Sequence, residues 1–438
     1  MADGRAGSMI LSENRVLRLF SFFLLYVGQG LPLGVSVVAF PAWLVANGAD
    51  DAAVGAVIAT AFLPWSFKFI PAAIMDRYAF LPMGRRRAWL ILAQLLMVAG
   101  FAIAALAAPG PDDLQLILYV VFLIGAGSAI QDVAVDGLAV DILLEREQGP
   151  ASSFMFGGQV VGRALAATAA GIGLQYYGSQ ATFLFFLPII LLITLYVVFM
   201  RERPGERLLP WTPGQAHEVN LHRHVGAWWP IFITTIKSLI KVDSLKLLVA
   251  AGFSRTSGGM FDTLWPIIAV SVVGFSTASY AGMVSTVDLI MAFVSIAAGS
   301  ALTLWLGPRR ASVLAWLAFA GLALFIVYGR DIWSSTVAFI AMTCVWTLLT
   351  TLTSICTNPL RMQLSDPKVA ATQFTIYNSL SNLPVSLGAT LFAILGGRDE
   401  VAFVMWIAAG LCVAGTLFYA WMKIGDRPGP AEPAPKVD

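Results

Sequence analysis

The sequence predicts an all-α integral membrane protein with twelve transmembrane helices in two six-helix halves. Three observations lead there. Hydrophobic residues make up 58% of the 438 and charged residues only 12%, with a mean hydropathy of +0.79. A soluble domain is about one quarter charged, so this much apolar surface requires lipid around it. Apolar runs of spanning length number six, then a polar stretch, then six more. Lys and Arg are also distributed very unevenly between the two sets of connecting loops.

The first six runs lie near 17–45, 53–75, 88–108, 114–142, 151–176 and 181–200. The second six lie near 247–273, 278–306, 311–328, 333–360, 369–395 and 401–422. Each approaches or exceeds the ~20 apolar residues needed to cross a bilayer as a helix. Leu17–Val45 is too long for the apolar region of a signal peptide and reads as the first span. The third, sixth, ninth and twelfth runs hold no charge, which suits them to face lipid. Pro32, Pro41, Pro64 and Pro71 are expected to kink or break spans one and two. Gly157, Gly158 and Gly162 on span five fit close approach of a neighbouring helix.

If the N-terminus is cytoplasmic, loops on that side carry 22 of the 27 basic residues and the other side only Arg330 and Arg398. The positive-inside rule then places both termini in the cytoplasm. The remaining three, Lys68, Arg163 and Arg255, fall inside spans. The division is residues 1–200 and 247–425 for the halves, 201–246 for a cytoplasmic linker and 426–438 for a disordered, Pro-rich tail. The linker from about Ile231 to Lys246 reads as an amphipathic helix on the membrane surface, with Trp228 and Trp229 at headgroup level. His217, His222 and His224 cluster in that linker, and a solvated loop accounts for them without a metal. Cys344, Cys356 and Cys412 lie apart in apolar runs, with no metal or redox spacing.

The stretch with most chemistry is Gly125–Asp141, GAGSAIQDVAVDGLAVD. It sets Asp132, Asp136 and Asp141 in an apolar run, and Asp132 and Asp136, four apart, share one helix face. A charge at the bilayer centre costs at least ~2.5–3.5 kcal/mol, so it faces water or a partner. No P-loop motif occurs, scattered charges do not form the repeated rings of a channel, and no histidine lies in a span to hold a catalytic metal. Basic loops at corresponding positions, DRYAFLPMGRRR (Asp76–Arg87) and LGPRR (Leu306–Arg310), point to an internal duplication, although Thr303 stands near where a second acid is expected.

Asp76-Arg77 and Gly84-Arg85-Arg86-Arg87 resemble the two ends of the signature loop of the major facilitator superfamily, with Ala79–Met83 inserted and Ala72 in place of the leading glycine. That departure resembles the peptide/acetyl-coenzyme A/drug transporter branch, which includes AmpG-type muropeptide permeases. GQGLPLG (Gly28–Gly34), LPWSFKFIPAAIMDRY with GRRRAW (Leu63–Trp89) and SAIQDVAVDGLAVDIL (Ser128–Leu143) carry the likeness.

The resemblance implies the major facilitator fold, a central cavity between the halves, no cofactor and no enzymatic activity. It also implies proton-coupled import of a bulky polar solute, such as an anhydro-muropeptide, by a monomer in the bacterial inner membrane. Its partners are then a small-molecule substrate, protons and lipid, with no nucleic acid. A siderophore or acyl-coenzyme A transporter, or a drug/proton antiporter, shares the architecture. Helix rise places Lys68, Asp132, Asp136 and Arg163 at similar depths, as a proton-coupling cluster in the N-terminal half. Gln29, Gln131, Arg255, Asp262, Asp288, Thr350 and Asn358 are the candidate cavity residues. Span ten adds hydroxyls from Thr343 to Thr357. Asp76, Arg77, Gly84, Arg85, Arg86 and Arg87 are the candidate cytoplasmic gate.

Overall fold

The computed structural model describes residues 9–222, 233, 237, 239–365 and 370–423. Trp228, Trp229, His224, most of the expected surface helix before Val242, and the tail from 426 lie outside the described residues. The first half consists of α1 (Arg15–Ala46), α2 (Asp51–Arg77), α3 (Arg87–Ala107), α4 (Leu114–Ile142), α5 (Glu145–Tyr176) and α6 (Gly178–Phe199). In the second half α7 is Val242–Ile267 with a π turn to Val272, followed by one long run, Thr277–Tyr328. That run is two helices, α8 and α9, divided at Gly307, whose φ of 78° and ψ of 157° are not helical and precede Pro308. α10 is Thr336–Leu364, α11 has two pieces, Ala370–Leu380 and Leu383–Ile394, and α12 is Val401–Trp421.

Local chemistry sets the ends. Asn14 and Asp50 accept the backbone N–H groups of Leu17 and Ala53 at 3.0 and 2.7 Å, capping α1 and α2. Ser276 and Ser335 cap α8 and α10 in the same way. The prolines act as expected: α1 carries a π turn over Gly34–Ala39, and α2 breaks at Phe67, three residues after Pro64. Spans five and seven begin earlier than their apolar runs, at Glu145 and Val242, because polar first turns continue the helix beyond the hydrophobic stretch.

The same pairings recur in both halves: α1 lies along α5 as α7 lies along α11, and α3 along α6 as α9 along α12. Between halves, α2 packs on α11 and α5 on α8. Lipid gives helices no hydrophobic drive to associate, so backbone proximity and packing must supply it. A Cβ at Gly162 would overlap the Val27 carbonyl, and one at Gly158 the Phe23 carbonyl, so α5 presses these glycines onto α1. Gly259 and Gly388 meet the carbonyls of Val385 and Thr256 across α7 and α11 in the same manner. Gly157 has open space beside it and takes no part in this contact.

The far end of the bundle, opposite the Asp76–Arg87 loop, ties the halves together. Arg398 Nε donates to Asp51 Oδ1 at 2.5 Å and its Nη2 to Ala49 O at 3.0 Å, while Gln175 Oε1 accepts Ala278 N–H at 2.8 Å. Replacing Gly162 with valine should lower stability by about 1–3 kcal/mol through overpacking. Thermal unfolding of the purified protein measures it, and an unchanged midpoint would contradict the α1–α5 contact.

Candidate functional site

Asp132 is buried on α4 and meets two partners supplied by the first two spans. Lys68 Nζ, at the break between the two pieces of α2, reaches Asp132 Oδ2 at 2.5 Å. Gln29 of α1 donates to Asp132 Oδ1 at 2.7 Å. Lys68 directly follows the break of α2 at Phe67, and its ammonium also lies 5.4 Å from the centre of the Trp65 ring. One turn closer to the loop end, Asp136 is exposed and accepts the Tyr26 hydroxyl at 2.6 Å. Tyr26 was not among the expected residues, though it stands three before Gln29 and so shares its face.

Arg163 differs from expectation. It does not meet Asp132; its Nε lies 3.5 Å from Asp288 Oδ2 on α8, across the interface between halves. The cause is the glycine seam: with Gly158 and Gly162 turned to α1, Arg163 points into the space between the halves. Gln131 and Gln29 also differ. Neither borders the cavity. Gln131 donates to Leu25 O at 2.5 Å and accepts from Gln94, which in turn accepts from Thr194 at 3.0 Å, joining α1, α3, α4 and α6.

The cavity between the halves has a volume of about 350 Å³. Arg163, Arg255, Asp262, Asp288 and Thr350 line it, with Thr347, Thr351, Thr353 and Ser354 beside them and Phe62, Phe156, Trp316, Phe319 and Trp346 as aromatic walls. Asp262 and Asp288 make no direct hydrogen bond; Arg163 is paired with one and acts electrostatically on the other. Thr347 donates to Asp288 at 3.4 Å, whereas Thr350, Ser354 and Thr357 donate to their own helix backbone. Hydroxyls satisfied in this way still accept hydrogen bonds from a solute. Asn358 lies outside this lining, and its Oδ1 accepts from Arg361 at 2.7 Å. Arg361, expected in a loop, is in the last turn of α10 and buried.

At the loop end, Arg86 pairs with Asp76 at 2.7 Å and with Asp141 at 3.2 Å, and Arg85 with Asp141 at 3.1 Å. Arg77 stacks on Tyr78, 5.5 Å from its ring centre. Gly84 has a φ of 101° and lies against the Glu202 side chain, where a Cβ would collide. Glu202 accepts the backbone N–H groups of Arg85, Arg86 and Arg87 at 2.9, 2.6 and 2.7 Å, so a carboxylate sits at the N-terminus of α3. Arg87 is fully buried and donates to the carbonyls of Met200, Arg207 and Leu208. These bonds of the expected gate stay within the first half and the start of the linker. His217 Nδ1 accepts Val219 N–H at 3.3 Å; the side chain of His222 lies outside the described residues.

A bundle of paired spans around a charged, aromatic-walled cavity, tied shut at one end, defines a multi-pass membrane transporter. The chain belongs to the Major Facilitator Superfamily, whose model matches residues 19–389. It is 24% identical to an uncharacterized protein of Haemophilus influenzae over 95% of this chain and 96% of that one. It is also 24% identical to the anhydromuropeptide permease of Escherichia coli K12, over 59% of this chain and 56% of the permease. That match spans little more than half the permease's length. Among solved structures, a D-xylose-proton symporter superposes with a TM-score of 0.68 at 12% identity, covering 93% and 98% of the two chains. A peptide transporter solved with sulfate gives 0.69 at 15% identity, covering 92% and 93%. At such identities the likeness concerns the fold.

Two measurements check this geometry. Lys68→Met leaves Asp132 buried without its cation and should cost about 3–5 kcal/mol, and Lys68→Met with Asp132→Leu should recover most of it in a double-mutant cycle. In the loop layer, Glu206 accepts from Asn220 at 3.0 Å, and burial, then the Glu202 charge, push its pKa up to about 7 from 4.5. Folding binds this proton more tightly, so its stabilisation is complete below pH 4.5 and lost as pH rises through about 7. Proteolysis of the linker should therefore accelerate over that window in the wild-type protein, and Glu206→Gln should flatten the slope.

Proposed function

We propose that this transporter is a proton-coupled importer of the bacterial inner membrane, working as a monomer with both termini and the Asp76–Arg87 loop on the cytoplasmic side. Its solute is a bulky polar molecule, for which an anhydro-muropeptide is the best fit. The observation that carries the coupling is one buried lysine bonded to the first of two carboxylates one helical turn apart. Lys68 is bonded to Asp132, while Asp136 is exposed and, among the described residues, has the neutral Tyr26 hydroxyl as its hydrogen-bond partner. A proton from water reaches Asp136, and its arrival changes the competition of the two acids for Lys68. Lys68 sits on the break of α2, the helix that packs on α11 of the other half, so that competition bears on a moving joint.

The cavity supports the solute class. Arg163 and Arg255 with Asp262 and Asp288 offer both charges to a zwitterionic stem peptide. Trp316, Trp346 and the threonines offer flat apolar faces and hydrogen bonds to sugar rings. Likeness to the E. coli permease over more than half of this chain favours this solute over a siderophore or a coenzyme A ester. Alternating access then requires the Asp51–Arg398 tie at the far end to open while the loop layer closes.

Vesicles containing the protein should accumulate labelled anhydro-muropeptide when an inward proton gradient is imposed. Asp132→Asn should abolish uphill accumulation while solute exchange at equal concentrations persists. Full gradient-driven uptake by that variant would remove Asp132 from the coupling path. No uptake by the wild-type protein would remove the muropeptide.

A further inference from the structure

Two arginines of the second half are held by neutral groups. Arg361 is 7% exposed, and its Nη1 donates to Asn358 Oδ1 at 2.7 Å and Asn378 Oδ1 at 2.8 Å. Arg255 donates from Nε to Ser381 O at 3.1 Å and from Nη2 to Asn382 Oδ1 at 3.0 Å. Among the described residues neither arginine hydrogen-bonds a carboxylate, and Arg361 Nε is buried without a partner. Asp262, seven residues along α7, acts on Arg255 only at longer range.

Both guanidinium groups are held by one stretch of α11, Arg361 at Asn378 and Arg255 at Ser381 and Asn382, and Asn382 in turn reaches the Trp65 carbonyl three residues before Lys68. Three cations therefore converge where α2, α7, α10 and α11 meet, and only Lys68 has a bonded carboxylate. Burying a cation beside others of like sign opposes folding, and amide oxygens orient it without neutralising it. Arg255 lines the cavity. Arg361 stands two helical turns from Ser354 on the α10 face that lines it. The break of α11 at Ser381 and Asn382 supplies the acceptors that hold Arg255, and Asn382 Nδ2 also reaches Trp65 O at 3.5 Å, next to Lys68.

We propose that Arg255 and Arg361 form an anion subsite that takes an oxyanion group of the transported solute. The proposal deepens the transporter reading and rests on it. In the muropeptide reading the group is a stem-peptide carboxylate, which a guanidinium fork binds with two parallel hydrogen bonds. A phosphate has the same chemistry.

The test uses the full-length protein in lipid nanodiscs, with tryptophan fluorescence reporting binding. The probes are an anhydro-muropeptide with free stem carboxylates, the same molecule with those carboxylates amidated, and coenzyme A. The wild-type protein should bind the acid at least tenfold more tightly than the amide. Arg361→Gln should erase that preference by weakening only the acid, and Arg361→Lys should retain part of it. Asn378→Asp gives Arg361 an internal carboxylate, so it should raise thermal stability while weakening the acid tenfold, a pair of opposite changes that loss of fold does not produce.

Tight binding of coenzyme A alone, lost tenfold in Arg361→Gln, would support the subsite and remove the muropeptide. Equal binding of acid and amide with no effect of Arg361→Gln on coenzyme A would overturn the proposal. So would the absence of binding by both anionic probes.

Discussion

The dependence of the first half on one contact, Lys68 with Asp132, follows from the cost of removing charge from water. A carboxylate in the middle of α4 is tolerable only if a cation reaches it. Lys68 reaches it from the break at Phe67, between the two pieces of α2. Gln29 must then turn inward to fill the second oxygen, and α1 must approach closely enough to allow it. Gly158 and Gly162 permit that approach. A proline-set helix break, a glycine seam and the rotation of α5 thus meet around one electrostatic requirement.

The rotation of α5 in turn makes the cavity. Had Arg163 turned to Asp132, Asp288 would lack its cation from across the interface. Turned outward, Arg163 gives Asp288 its cation and adds a second ion pair between the halves, beside Asp51–Arg398. The loop layer works by separate means. Glu202 bridges three backbone N–H groups at the start of α3, and Arg87 gathers carbonyls from the chain leaving α6. Those contacts fix the linker's first residues to the bundle independently of the cavity's charges.

Much of this was legible in the sequence. Run length and the polar stretch between the two sets indicated twelve spans in two sixes, because run length follows directly from bilayer thickness. The shared face of Asp132 and Asp136 followed from helix periodicity, and the disruption of spans one and two from their prolines. Partners were harder. Depth along a helix says nothing of its rotation, so Arg163 was paired with the wrong aspartate and Gln131 given to the cavity when it braces α1, α3, α4 and α6. Arg361 was read as a loop charge because it ends an apolar run, and only the neighbouring Asn358 and Asn378 reveal it as buried. Tyr26 carried a readable signal in its spacing from Gln29.

The interior charges have one further consequence. Lys68, Arg163, Arg255 and Arg361 stand against Asp132, Asp136, Asp262 and Asp288, four of each sign. With one carboxylate protonated the group carries a single excess positive charge, and a bound monoanion cancels it. In the proposed cycle the loaded carrier therefore reorients with the same interior charge as the empty one. A moving elementary charge would feel about 2.3 kcal/mol per 100 mV of membrane potential. In that proposed cycle a solute of net charge −1 carried with one proton moves no net charge and draws on the pH difference alone, whereas a net-neutral zwitterion carried with one proton would draw on the voltage as well.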